Sequence, residues 1–215
     1  MGAEMTALIF GSVPSARWDY LRSQYPRPGL VVCADGGVRC ARAAGYAPDL
    51  LVGDWDSGGR PEDGIASVTL PPEKDLTDLQ AAAGLALEQG FGRLVFCGCV
   101  GGRLDQTAAS LALLEWVHDR GGEALLLDEG DEARFWDGAP LTLPRGERYR
   151  FLSLIPLDRT ISGLTLRGVK YPLDRASLSR GETLSVSNEI VEEEAHLSAE
   201  AGRMLVIRSQ KRNFN

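Results

Sequence analysis

Five short apolar runs, spread through the first 128 residues and separated by helix-like stretches, restrict this chain more than any other feature. They are Ala7-Leu8-Ile9-Phe10, Leu30-Val31-Val32-Cys33, Leu50-Leu51-Val52, Leu94-Val95-Phe96-Cys97 and Ala124-Leu125-Leu126-Leu127. A strand that is apolar at every position, rather than at every second one, is covered on both faces. Between the runs, residues 15–25, 38–44, 78–89 and 106–119 are rich in Ala, Leu, Arg and Gln, with their apolar residues at helical spacing. This alternation predicts an α/β domain, a mostly parallel sheet flanked by helices. After about residue 138 the texture changes to short strand-like segments (150–155, 160–167, 183–187, 194–198 and 204–208) between Gly, Pro and Asp turns. No helical period survives there, which predicts a smaller all-β, sandwich-like domain. Two domains are expected, 1–138 and 139–215.

Composition sets the class. Of 215 residues, 44% are hydrophobic and 25% charged, enough to bury a sizeable core in a soluble globular protein. The formal net charge is −7, with no Lys/Arg run, which argues against a nucleic-acid surface or a polybasic membrane patch. The apolar run over 6–10 is too short for a membrane span and lacks the basic leader of a signal peptide. Met1-Gly2 through Thr6 fits the myristoylation pattern, but no second anchoring signal accompanies it. Cys33, Cys40, Cys97 and Cys99 form no C-x-x-C pair, and the expectation is reduced, partly buried thiols in a cytoplasmic protein.

Acidic residues gather where the predicted strands end, the edge at which open parallel sheets bind ligands. One strand runs into Asp35-Gly36-Gly37 and the next into Gly53-Asp54-Trp55-Asp56-Ser57. In extended chain Asp54 and Asp56 point to one side. Two hard oxygen ligands so placed can hold Mg²⁺, which takes its remaining ligands from water and substrate phosphates. An acidic turn that merely ends a strand would look the same. In Lys74-Asp75-Leu76-Thr77-Asp78-Leu79-Gln80, Thr77 with Gln80 makes a capping box and Asp78 complements the helix dipole. Capping leaves Lys74 and Asp75 unexplained. In Gly98-Cys99-Val100-Gly101-Gly102-Arg103-Leu104-Asp105-Gln106, glycines let backbone N–H groups approach a phosphate and Arg103 can pair with its oxygens through two bonds. That stretch is neither a Walker A loop nor G-x-G-x-x-G, and a flexible turn with Asp105 as the helix N-cap is the plain alternative.

Taken in order, Ala34-Asp35-Gly36-Gly37, Pro48-Asp49, Gly53-Asp54-Trp55-Asp56-Ser57, Lys74-Asp75-Leu76-Thr77-Asp78 and Gly101-Gly102-Arg103-Leu104-Asp105-Gln106 resemble the motif series of thiamine pyrophosphokinases. The second half is similar to that family through Ser162-Gly163-Leu164, Gly168-Val169-Lys170-Tyr171-Pro172-Leu173 and Ser187-Asn188-Glu189. The sequence departs from the family's usual residues at Trp55 (often Phe), Gln106 (often His in bacterial members), and Arg39 and Ser110 (commonly Asn).

The resemblance implies an enzyme that transfers a pyrophosphoryl group from Mg·ATP to thiamine, releasing AMP. ATP is then the co-substrate and Mg²⁺ the cofactor. It also implies a homodimer whose thiamine sites are shared between the catalytic domain of one chain and the β domain of the other. On this reading Asp35, Asp54, Asp56 and Asp78 surround the metal, while Asp35, Gly36, Gly37, Gly101, Gly102, Arg103, Asp105 and Gln106 bind ATP. Lys74 and Asp75 border the thiamine hydroxyl, and Asp78 or Asp75 is the candidate base. Tyr171 offers its ring to the thiamine cation, and Ser187 and Asn188 hydrogen-bond its pyrimidine. The rival expectations are a pyrophosphokinase of a pterin alcohol and a non-catalytic nucleotide- or metal-binding module. If Asp56 is a metal ligand, Asp56→Asn keeps its shape and removes the anionic oxygen. Turnover should then fall by orders of magnitude while the melting temperature barely moves, as steady-state kinetics and calorimetry will show.

Overall fold

The computed structural model describes residues 5–54, 64–71, 73 and 75–210, which form two compact units, one ending at Glu129 and the other beginning at Gly130. The first unit runs β1 (Thr6–Phe10), α1 (Asp19–Gln24), β2 (Leu30–Ala34), α2 (Gly37–Ala43), β3 (Leu50–Gly53), β4 (Ala66–Thr69), α3 (Asp78–Glu88), β5 (Arg93–Cys97), α4 (Leu104–His118) and β6 (Glu123–Leu127). Its strands pair in parallel in the order β4-β3-β2-β1-β5-β6. All five residues of β1 and of β2 are buried, as their unbroken apolar runs require. Leu8, Phe10, Val31, Cys33, Leu51, Val95 and Cys97 share one core with Trp18 and Leu21 of the α1 side and Cys40 and Ala41 of α2. Their strand neighbours Ala7, Ile9, Val32, Val52, Leu94 and Phe96 are equally buried, and alternation turns them to the opposite face. There α3 packs on β1, β2 and β3 through the small residues Ala82, Ala83 and Ala86, and α4 packs on β6. Thr77 caps α3 as expected, its hydroxyl accepting from the Gln80 N–H at 3.2 Å.

The second unit contains β7 (Asp131–Trp136), β8 (Leu141–Pro144), β9 (Phe151–Pro156), β10 (Thr160–Arg167), β11 (Leu173–Ser179), β12 (Glu194–Ser198) and β13 (Met204–Ser209). Antiparallel β7-β13-β9 and β11-β10-β12-β8 form its two layers. Trp136, Leu152, Leu154, Met204 and Val206 of the first layer meet Leu143, Ile161, Leu164, Leu166, Leu178 and Leu197 of the second in one core. Inward-facing residues alternate with outward ones along β9, as in a sheet wet on one side.

Several local expectations change. Residues 183–187 are turns, not a strand: the Val186 N–H reaches back to the Thr183 carbonyl and Ser187 has a φ of 62°. The first helix is confined to Asp19–Gln24, shorter than the 15–25 stretch. Strands β4, β7, β8 and β11 appear where no strand was expected. The division between units falls after Glu129, ahead of residue 138, because β7 is bonded along its whole length to β13.

One buried ion cluster sits in the second unit. Glu132 of β7 lies opposite Arg208 of β13, and its side chain is only 5% exposed. Arg208 donates twice from one nitrogen, at 2.7 and 2.8 Å, and Arg134 adds a contact at 2.8 Å. Burial alone would push the Glu132 carboxyl up, but the hydrogen bonds and charge of Arg208, with Arg134, outweigh it and hold the carboxyl below its ordinary range. A depressed folded value means that the cluster stabilises the fold fully above the unfolded value near 4.5, and that this stability is lost as pH falls through the folded value. Denaturant titrations should therefore show stability falling below about pH 4.5, with a shallower acid slope in Glu132→Gln. At neutral pH that variant should lose about 3 to 5 kcal/mol, because Arg208 is left buried without its partner.

Candidate active site

In the first unit β1 lies between β2 and β5, and the chain leaves β1 for β2 on one side while β5 leads to β6 on the other. That reversal opens a crevice beyond the carboxyl ends of β1 and β5, the usual place for a ligand in such sheets. The Gly11 N–H donates to the Cys97 carbonyl at 2.8 Å and the Val13 N–H to the Gly98 carbonyl at 2.9 Å. The approach is close enough to demand glycine. A Cβ on Gly11 would lie 2.6 Å from the Gly98 oxygen, and one on Gly98, whose φ is 65°, would lie 2.8 Å from the Val13 oxygen.

The 11–13 loop joins two of the motifs read from sequence. Ser12 faces Gly36, where a Cβ would come within 3.2 Å of the Ser12 Cβ and 3.1 Å of an Arg39 guanidinium nitrogen. Val13 packs against Gly101 and Gly102, both at positive φ. The Asp35-Gly36-Gly37 turn and the Gly98 to Arg103 loop therefore border one crevice. Gly11, Ser12 and Val13 were not singled out from sequence. A Gly-Ser pair straight after the first buried strand was the available signal, but its meaning depends on knowing that this strand is where the order reverses.

Asp35 follows β2 with a φ of 47°, unusual for a residue with a side chain, and its N–H donates to the Val52 carbonyl of β3 at 2.8 Å. Asp54 follows the end of neighbouring β3, so these two carboxylates stand at adjacent strand ends. Asp78 is the first residue of α3, and Asp75 is exposed ahead of the cap. Asp56 and Lys74 lie outside the described residues. Among the described residues no three His, Cys, Asp or Glu side chains gather into a metal-holding group. One or two carboxylates plus phosphate oxygens are what Mg²⁺ ordinarily takes, and a purely oxygen donor set at neighbouring strand ends fits it.

Arg103 extends from the glycine loop and is exposed. Its Nε donates to Asp105 Oδ1 at 3.1 Å while its terminal nitrogen meets the other carboxylate oxygen. The hydrogen bond from Arg103 holds the Asp105 carboxyl below its ordinary range, and the same bond raises the guanidinium. Asp105 is thus not the N-cap of α4. Arg103 takes that position, and Asp105 aims the fork and accepts from the Gln106 N–H at 2.9 Å. Ser110 is buried and donates to the Gln106 carbonyl of its own helix.

The second unit presents a separate cluster. Tyr171 is 60% exposed, with the Lys170 ammonium 5.4 Å from its ring centroid. Ser187 is exposed, and its N–H donates to Ser153 Oγ at 3.0 Å. Asn188, by contrast, is buried, and its carboxamide bonds to the Tyr171 main chain.

Several known proteins match this chain in sequence and shape. The family profile "Thiamin pyrophosphokinase, catalytic domain" matches residues 25–126, and "Thiamin pyrophosphokinase, vitamin B1 binding domain" matches residues 140–204. A thiamine pyrophosphokinase of Bacillus subtilis is 30% identical over 186 residues, covering 84% of this chain and 87% of its own. The crystal structure of thiamine pyrophosphokinase from Bacillus subtilis superimposes with a TM-score of 0.88 at 27% identity, covering 96% of this chain and all of that one. That of thiamin pyrophosphokinase from Geobacillus thermodenitrificans gives 0.85 at 29% identity, covering 97% and 99%.

Replacing Arg103 by Lys tests the loop. A Lys offers a point charge where Arg offers a planar fork. Affinity for a nucleoside triphosphate, read by calorimetry, should fall roughly ten- to a hundredfold, with the melting temperature unchanged because the Arg103–Asp105 pair is exposed.

Proposed function

This chain belongs to the thiamin pyrophosphokinase family, and from that premise we propose how its residues divide the work. It is an enzyme, a thiamine diphosphokinase, that transfers the terminal two phosphates of ATP as a unit to the hydroxyethyl oxygen of thiamine, leaving AMP. The observation that carries this reading is the ordered pair of family domains, catalytic then B1-binding, with the glycine-lined crevice lying in the first. Neither a pterin-alcohol pyrophosphokinase nor a non-catalytic module is favoured against that pair.

Transfer of this kind asks the protein mainly for positioning and charge neutralisation. The peptide N–H groups of Gly101 and Gly102 and the Arg103 fork hold phosphate oxygens, with Asp105 aiming the fork. Asp35, Gly36, Gly37 and Gln106 line the rest of the nucleotide site. Asp35, Asp54, Asp56 and Asp78 form the acidic set from which Mg²⁺ takes its protein oxygens. Mg²⁺ held by these carboxylates would supply the positive charge that offsets the phosphates, which an acidic chain of net charge −7 does not itself provide. Asp75 and Lys74 border the thiamine hydroxyl, and Asp78 or Asp75 accepts its proton as the oxygen attacks the β-phosphorus. In the second unit the exposed Tyr171 face receives the thiamine cation, and Ser187 is the polar contact for the pyrimidine.

We place the active form as a homodimer in the cytoplasm. Four free, buried thiols suit a reducing compartment. Among the described residues no helix is long and apolar enough to cross a membrane. Incubation with Mg·ATP and thiamine should yield thiamine diphosphate and AMP in equal amounts by chromatography. Equimolar ADP would mark a monophosphate kinase instead. Sedimentation should give about twice the 23.2 kDa chain mass.

A further inference from the structure

The carboxamide of Asn188, expected to read the substrate's pyrimidine, is occupied elsewhere. Its Oδ1 accepts from the Tyr171 N–H at 3.0 Å and from the Glu189 N–H at 2.9 Å, and its Nδ2 donates to the Tyr171 carbonyl at 2.8 Å. Three of the four hydrogen-bonding places on the amide are filled, and the residue is only 5% exposed. The main chain of Asn188 is held just as firmly. It exchanges two hydrogen bonds with Leu152 of β9, at 2.8 and 2.9 Å. One residue thus ties the edge of β9 to the segment that carries Tyr171. The same segment is stitched to its neighbours by a Val169–Ile190 bridge, by the Lys170 N–H on the Glu189 carbonyl at 2.9 Å, and by the Val191 N–H on the Gly168 carbonyl at 3.0 Å. Tyr171 lies where this stitching ends, and Pro172 after it has no N–H to continue a ladder. Both peptide groups of Tyr171 rest on one buried side chain, while its ring stands in solvent.

We propose that Asn188 is a positioning residue for substrate affinity: it presents the Tyr171 ring to the thiamine cation by clamping the Tyr171 main chain, and does not touch the substrate itself. The proposal rests on the reading that Tyr171 faces thiamine. A ring whose backbone is fixed before binding loses less freedom when a cation stacks on it. The clamp also requires an amide. Aspartate could accept from Tyr171 and Glu189, but its second oxygen would face the Tyr171 carbonyl and repel it.

The test is a double-mutant cycle on the full-length protein, with Asn188→Ala, Asn188→Asp, Tyr171→Ala and the Asn188→Ala/Tyr171→Ala pair. Each Asn188 variant should raise KM for thiamine, by no more than the roughly two- to thirtyfold expected of Tyr171→Ala. The KM for ATP, and kcat at saturating thiamine, should stay near the unsubstituted values. The double variant should have the thiamine KM of Tyr171→Ala alone, since Asn188 acts only through that ring. Multiplying effects would show direct contact with substrate and overturn the proposal, as would unchanged thiamine KM in Asn188→Asp. If Asn188→Ala does not fold, the Asn188→Asp/Tyr171→Ala pair closes the same cycle. Amide hydrogen exchange at Tyr171 reports the clamp without turnover, protected in the unsubstituted chain and fast in Asn188→Ala, which lacks the acceptor. Unsubstituted protein that makes no AMP from ATP and thiamine would sink the functional reading, while an unprotected Tyr171 amide in it would sink the clamp.

Discussion

The backbone contact between the segments that follow β1 and β5 governs the first unit. Beyond the paired ends Phe10 and Cys97 the two chains turn to opposite sides of the sheet, which alone would leave an open gap. Instead Gly11 and Val13 donate across it, and the missing Cβ atoms at Gly11 and Gly98 let the peptides meet. The floor of the crevice at Gly11 and Gly98 is therefore largely main chain, with the Cys99 sulfur and the Trp18 ring packed beside it. Charge has to come from its rim, where Asp35 stands in the turn after β2, Arg39 in the first turn of α2 and Arg103 at the start of α4.

The second unit solves a different problem, since a small sandwich must keep a polar edge in register. Glu132 and Arg208 pin β7 to β13 inside the protein, and Asn188 closes the margin of β9. Both use buried polar groups whose partners are nearly all accounted for, the condition under which such groups specify one arrangement rather than weaken the fold. The exposed Tyr171 ring is a by-product of that order, held by the chain behind it.

The elements most readable from sequence were those whose burial leaves an unbroken apolar signature. β1, β2, β3, β5 and β6 carried it, and the capping box located the start of α3 at Asp78. β4 carried none, because Ala66–Thr69 is a largely exposed edge strand. β7 was hidden by Asp131, Glu132 and Arg134, charges that become acceptable only once Arg208 is seen opposite. The turn over 183–187 read as a strand because its Leu184 and Val186 are apolar, although both remain exposed. In the site, the motif residues were legible by type, but which groups they face was not. Asp105 and Asn188 look like ligand contacts in one dimension, and in three they hold Arg103 and Tyr171.

All four cysteines lie inside the first unit. Burial pushes the Cys99 thiol up to about 12, raises Cys40, and carries Cys97 well above its ordinary value, so very little thiolate exists at neutral pH to attack an electrophile. Cys33 is buried as well, so the native thiols should react slowly with maleimides while the fold is intact. A single cysteine introduced on an exposed strand would then react preferentially, and a fluorophore or spin label could report from the second unit with all four native cysteines kept.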